Sequence, residues 1–451
     1  METLDAALAW TPDGWRQPVR LCLDSAGRLQ APDGPPDAGA GGVLLPGLHN
    51  LHSHAFQRAM AGRGERRSPG AGQDSFWSWR EQMYAIAGRM DPDGLRAVAA
   101  QLYAEMLEAG YTSVCEFHYL HHAPGGRPYA DPAAMSRALI DAARDTGIGL
   151  LLLPVLYMRG GFDGRPLGEH QRRFGFDVDG YLDLLQRLAP ECDDHVALGI
   201  AFHSLRAVDA GAMRAVLEGS AGAHLPIHIH IAEQVAEVED CLAVHGRRPV
   251  RWLLDEMPVD ARWGLVHATH VDPAEVDGMA DSGATVVLCP TTEGNLGDGV
   301  FPLRDYIAAG GAWGIGSDSH VSVSPVEELR WLEYGQRLWH RQRVIAATPE
   351  HPATGESLFA RALHGGERAS RRGAGALAPG RLADLVRLDD RHPQLAPCLP
   401  GHALDGWVFS GNQPLVDAVW VGGRQRVADG RHLDRERHRG AFVAALGRLL
   451  D

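Results

Sequence analysis

From about residue 43 onward the chain alternates short runs rich in Val, Ile and Leu with longer stretches in which apolar residues recur every three to four positions. The short runs, at 43–45, 113–118, 149–156, 196–202, 226–231, 264–268, 285–288 and 312–316, read as strands. Segments between them, such as 95–109, 132–146 and 249–257, read as amphipathic helices. Eight alternations of this kind predict an α/β fold, a closed (β/α)8 TIM-like barrel rather than an open sheet.

The two chain ends follow a different rhythm. Residues 18–23 alternate apolar and polar positions and run into a Ser25-Ala26-Gly27 turn, while 31–42 is rich in Gly, Pro and Asp and reads as a loop. Strand character returns at 376–389 and 416–432, both with glycine turns that suggest hairpins. The simplest arrangement joins 1–42 with 377–436 in one small β-sandwich, inserts the barrel between them as 43–376, and ends in a helix over 437–451.

Composition narrows the classes. With 451 residues, 45% hydrophobic and 22% charged, the chain can bury a large core as an ordinary globular protein. No window approaches the roughly 18 apolar residues of a membrane span, and the acidic, broken N-terminus lacks the features of a secretory signal. The six cysteines are scattered without a CxxC pair, which suggests reduced thiols and a cytoplasmic protein. A net charge of −14 without a long basic run argues against nucleic acid as a partner. All 43 basic residues are arginine. The absence of lysine excludes Schiff-base and pyridoxal chemistry, and also a carbamylated lysine bridging two metals. A metal hydrolase built from this chain is expected to use one metal.

The candidate chemistry sits at predicted strand ends. His52 and His54 follow the first run, and residues two apart on extended chain point to the same side, so both imidazoles can meet one ion. His228, His230 and Glu233 close the fifth run, His267 ends the sixth, and Asp318 follows the eighth. Strand C-termini converge on one mouth of a barrel, where active sites are built. No GxSxG or catalytic Cys/His arrangement competes, and Cys115 and Cys289 read as structural thiols.

These motifs, taken in order, resemble the amidohydrolase superfamily, and in particular its deaminases with a single metal. The resemblance rests on PGLHNLHSH at 46–54, HIHIAE at 228–233, His267, GIGSDSH at 314–320 and GALAPGRLADLV at 375–386. It implies that His52, His54, His230 and Asp318 hold one divalent ion per chain. Zn2+ is the expected metal, although Fe2+ and Mn2+ suit the same donors. It implies that Glu233 shuttles protons, that His267 polarises the attacking water, and that Asp318 takes part in catalysis as well as ligation. The choice of His230 over His228 rests on the family's HxxE spacing.

Within the superfamily, NLHSHAFQRAMAG at 50–62, FWSWRE at 76–81, CEFHYLHH at 115–122, AFHSLRAV at 201–208 and CPTTEGNLGDG at 289–299 resemble the formimidoylglutamate deiminases. The implied reaction is hydrolysis of N-formimidoyl-L-glutamate to N-formyl-L-glutamate and ammonia, a step in histidine breakdown. Gln57, Arg80, Tyr119, His203 and Arg206 are the implied substrate-binding residues, and the implied assembly is a homodimer. Two arginines suit a substrate with two carboxylates, because the planar guanidinium pairs with carboxylate in a bidentate way. His121 and His122 are expected to do no chemistry, and His320 at most to brace Asp318. The alternatives are an aminohydrolase of the same architecture acting on guanine, adenosine-like or triazine substrates, and a non-catalytic ligand-binding barrel. Intact Glu233 and Asp318 weigh against the latter.

Overall fold

The computed structural model describes residues 2–65 and 76–450. Residues 66–75, within the stretch expected to form the barrel, and the side chains of residues 76–78 in the FWSWRE motif lie outside the described residues.

The barrel strands are Leu48–Ser53, Tyr111–His118, Gly149–Leu156, the pair Val196–Leu198 and Ile200–Phe202, Ile227–Ile231, Trp263–His267, Thr285–Leu288 and Ala312–Ile315. Neighbours pair in parallel around the sheet. Strands such as Gly149–Leu156 are buried along their whole length, as expected where helices cover the outer face. The run expected as one strand at 196–202 is interrupted at Gly199. The ring closes where the last strand meets the first. Ser53 and Asp318 form a parallel bridge, Asp318 N–H donates to the His52 carbonyl at 2.9 Å, and His54 N–H donates to the Asp318 carbonyl at 3.2 Å. Gly316 permits this approach, because a Cβ there would stand 2.7 Å from the Cβ of His52.

Both chain ends build the second layer. A seven-stranded sheet runs in the order Arg431–His432, Arg424–Ala428, Val416–Val421, Leu385–Leu388, Val43–Pro46, Leu8–Thr11, Gly14–Arg16. A three-stranded sheet of Glu2–Ala6, Val19–Leu23 and Leu29–Gln30 faces it across a core that includes Leu23, Leu44, Leu385 and Trp420.

Two sequence expectations are corrected. The run at 43–45 is not the first barrel strand. Val43–Pro46 pairs with Leu385–Leu388 and Leu8–Thr11, and the barrel begins after Gly47 at Leu48–Ser53. One apolar run crosses from sandwich to barrel here, and hydrophobicity alone does not divide it. Nor is 376–389 a hairpin. Only Leu385–Leu388 is a strand there, and its partners come from Val43–Pro46 and Val416–Val421, both distant in sequence. The terminal helix is longer than its sequence signal, Arg435–Leu450, and packs on helix Pro92–Ala109. Among the described residues, no helix is long and apolar enough to cross a membrane.

Candidate metal centre and active site

His52 lies within the first barrel strand, with His54 just beyond it, and both point into the mouth. His230 comes from the fifth strand, and Asp318 from the loop that seals the ring. The four side chains are buried, and one ligand atom from each lies within 4.8 Å of all the others. His52 Nε2 stands 3.1 Å from His54 Nε2 and 2.9 Å from His230 Nε2. Asp318 Oδ1 lies 3.4 Å from His52 Nε2 and 3.3 Å from His54 Nε2.

This convergence has a chemical signature. The His54 Nδ1–H donates to the Phe117 carbonyl at 2.8 Å and the His230 Nδ1–H to the His203 carbonyl at 2.9 Å. Those bonds assign the tautomer and leave lone pairs on both Nε2 atoms. Burial pushes the pKa values of His52, His54 and His230 down, which favours neutral rings. Bare lone pairs facing one another and a carboxylate in a buried space repel, and a divalent cation among them turns that repulsion into ligation. The residues present therefore fit a single metal with N and O donors. His228, two residues earlier on the same strand, stays outside the cluster and places Nε2 3.5 Å from the Ala369 carbonyl.

The other strand-end groups surround the cluster without joining it. His267 Nε2 lies 3.9 Å from both Glu233 Oε1 and Asp318 Oδ2, and its Nδ1 is 3.4 Å from Glu293 Oε1. Burial opposes the charge on His267, yet Glu233, Glu293 and Asp318 together lift its pKa to about 10. Burial raises the Glu233 carboxyl above its usual range, with His267 pulling the other way. Cys289 lies near His267 and Asp318, but burial drives its thiol well up, so it stays protonated. Backbone strain concentrates here as well. Ala232, His267, Ala268, Asp318 and His320 all adopt positive φ, between 45° and 68°.

All five residues expected to bind substrate line one cavity with His54, His230, Glu233, His267 and Asp318. Gln57 donates through Nε2 to the Tyr119 hydroxyl at 2.9 Å, leaving that O–H free to donate into the cavity. His203 packs its ring on Tyr157, with centroids 4.4 Å apart, and its carbonyl orients His230. The Arg80 guanidinium lies 5.5 Å from the Tyr84 ring centroid. Burial lowers the Arg80 pKa, and Arg206 lowers it further, so two like charges share the cavity. Arg206 forms no ion pair among the described residues.

Three carboxylates matter here that the sequence did not single out. Glu293 holds His267 from below and also accepts the Cys289 N–H at 2.9 Å. It lies within the CPTTEGNLGDG motif, but only the turn of helix Pro290–Leu296 brings it under His267. Glu237 accepts the N–H groups of Ala232 and Glu233, each at 3.1 Å, and so fixes the strained turn that aims Glu233. The spacing of four from Glu233 to Glu237 was the available signal. Glu116 accepts from Ser53 Oγ at 2.5 Å and Ala55 N at 2.6 Å, and burial pushes it up to about 7. His320 bonds Ser317 Oγ at 3.0 Å and Ser53 Oγ at 3.3 Å, so it braces both sides of the seam around Asp318. His121 and His122 bond the carbonyls of Val155 and Gly175, away from the cluster.

Residues 43–426 match the model of the amidohydrolase family. The chain is 52% identical, over the full length of both, to formimidoylglutamate deiminase of Pseudomonas aeruginosa. Its fold superposes on the crystal structure of an amidohydrolase from Brucella melitensis with a TM-score of 0.94 and 46% identity, covering all of both chains. It also superposes on an adenosine deaminase from Xanthomonas campestris with bound zinc, at a TM-score of 0.81 and 20% identity over 100% of this chain and 97% of that one, a likeness of fold alone.

Proposed function

This chain belongs to the amidohydrolase family, and from that premise we propose that it hydrolyses N-formimidoyl-L-glutamate to N-formyl-L-glutamate and ammonia. The observation that carries the reading is the cavity in which Arg80 and Arg206 face the four-residue metal cluster. Two guanidinium groups lining one recess suit a substrate with two carboxylates, and a glutamate moiety supplies both. Its formimidoyl end then reaches the cluster.

The residues divide the work. His52, His54, His230 and Asp318 would hold one divalent ion, zinc in our reading. Such an ion supplies Lewis acidity that makes water a nucleophile near neutral pH. Asp318 accepts the proton of the attacking water. Glu233, whose pKa burial raises, gives its proton to the nitrogen that leaves as ammonia. His267, whose pKa the surrounding acidic groups raise, faces the developing negative charge on oxygen. Glu237 and Glu293 hold Glu233 and His267 in place. Six unpaired cysteines support a cytoplasmic setting for the reaction.

A second reading has one observation in its favour. Trp79, Tyr84, Tyr119, Tyr157 and Phe174 also line the cavity, and aromatic faces suit a planar heterocycle. Ammonia release separates the two. We expect turnover of formimidoylglutamate that a chelator abolishes and added zinc restores, with negligible turnover of guanine or adenosine. Preferred turnover of a purine would defeat the assignment. Replacing Arg206 with Met is expected to lower kcat/KM by about 10- to 100-fold, because a hydrogen bond to a charged group is worth about 1.5–3 kcal/mol. Most of that change should appear in KM, since the carboxylate is held alike before and during reaction. Steady-state kinetics on formimidoylglutamate checks both the size of the loss and its division.

A further inference from the structure

A second cavity meets the catalytic one from the side. Its walls are the loop 161–165 and helix Val235–His245, and its inner end is formed by His203, Arg206, His230 and Glu233, which also line the substrate cavity. Ala236, Asp240 and Ala243 follow one another at spacings of four and three, so one stripe of the helix faces this chamber. The outer rim is open to water, with the side chains of Asp163 and Arg165 58% and 63% exposed and Val244 52% exposed. His230 is buried at the inner end, and Glu233 nearly so. Trp79, Arg80 and Tyr84 line the substrate cavity and not this chamber. The chamber therefore leads from solvent to the Glu233 carboxyl by a way of its own.

What the chamber serves follows from the two products, and here the inference rests on the function proposed above. Water adds to the formimidoyl carbon, the C–N bond breaks with the Glu233 proton on the departing nitrogen, and ammonia is left beside that carboxylate. Formylglutamate, still a dianion, stays held through its carboxylates by Arg80 and Arg206 and fills the cavity by which the substrate entered. The side chamber begins at Glu233, where ammonia is released. Its rim suits that product and opposes the other. Asp163 and Asp240 stand there, and Arg165 is already paired with Asp163 at 3.0 Å. Ammonia takes up a proton on meeting water at neutral pH, and carboxylates at the rim attract the resulting cation while repelling a dianion. Arg206 lines both cavities and stands at their junction.

We propose that this side chamber is the exit for ammonia, with Ala236, Asp240 and Ala243 of helix Val235–His245 as its wall. Substrate and formylglutamate travel through the arginine-lined cavity, and the small cationic product travels past the helix. Separate routes let ammonia depart while the dianion is still bound, which removes it from the reacting carbon before the C–N bond can re-form. Release then becomes a step that bulk in the chamber can slow without touching the chemistry.

Ala243→Trp and Ala236→Trp in the metal-loaded full chain test the proposal. Both alanines are exposed on the helix, so an indole adds bulk to the chamber without replacing a core residue. A release step that follows C–N cleavage enters kcat but not kcat/KM, which ends at the first irreversible step. Each variant is expected to show a several-fold lower kcat with kcat/KM unchanged, so that KM falls in proportion. Quenched-flow should show a burst of about one ammonia per chain before the slow steady state. Ala243→Ser, which adds little bulk, should match wild type. A kcat/KM that falls together with kcat would put the chamber on the substrate's own path, and an unchanged kcat in both tryptophan variants would leave it without traffic. Either result overturns the exit while formimidoylglutamate remains the substrate. A wild type that releases no ammonia from formimidoylglutamate overturns the proposed function, and the exit with it.

Discussion

His230→Ala is expected to strip the protein of metal and of activity together. The four candidate donors are three imidazoles and one carboxylate, and they leave little redundancy. Removing His230 leaves His52, His54 and Asp318, and also frees the His203 carbonyl that had fixed the lost ring. Burial that was tolerable around a filled site then confines a carboxylate and two imidazoles with weaker compensation. The measurement is metal content by atomic absorption beside ammonia release. About one ion per chain in wild type should fall to near zero in the variant, and activity should fall to background. Full metal occupancy in the variant would show that His230 is not a ligand.

Glu233→Gln should separate what His230→Ala cannot. The substitution is close to isosteric, leaves the N–H groups bonded by Glu237 untouched, and removes only the ability to carry a proton. Metal content should remain at the wild-type level while kcat falls by about 10²- to 10⁴-fold, the usual worth of a positioned acid or base. The pH profile gives an independent check on the same group. Burial raises the Glu233 carboxyl, so the protonated form persists at a pH where an exposed glutamate has already ionised. Wild-type activity should therefore fall on the alkaline side, at a pH above the ordinary carboxylate range, as that proton is lost. Retained activity in the variant would assign proton delivery to another residue and reopen the reading of the site.

Both predictions turn on a division between local and distant information. The chain by itself determined the alternation of strands and helices, because periods of two and of three to four residues are local properties of the backbone. It also placed His52, His54, His230, His267 and Asp318 at strand ends, since a parallel barrel brings all such ends to one rim. The absence of lysine excludes whole reaction classes on composition alone.

Tertiary structure decided what depends on partners far away in sequence. Val43–Pro46 and Leu48–Ser53 are nearly continuous in hydrophobicity, yet one pairs with Leu385–Leu388 and the other with Tyr111–His118, and only the pairing assigns them to different layers. Glu293, Glu237 and Glu116 are ordinary carboxylates in sequence. Each gains its role from a donor that folding alone delivers: the imidazole of His267, the strained turn at Ala232, the hydroxyl of Ser53. The exposure of Trp331 and Leu338 was equally hidden, because an apolar residue on a helix reads as core until the neighbours that would cover it prove to be missing. Periodicity is written along the chain, whereas burial and pairing are relations between distant segments, and only folding brings those together.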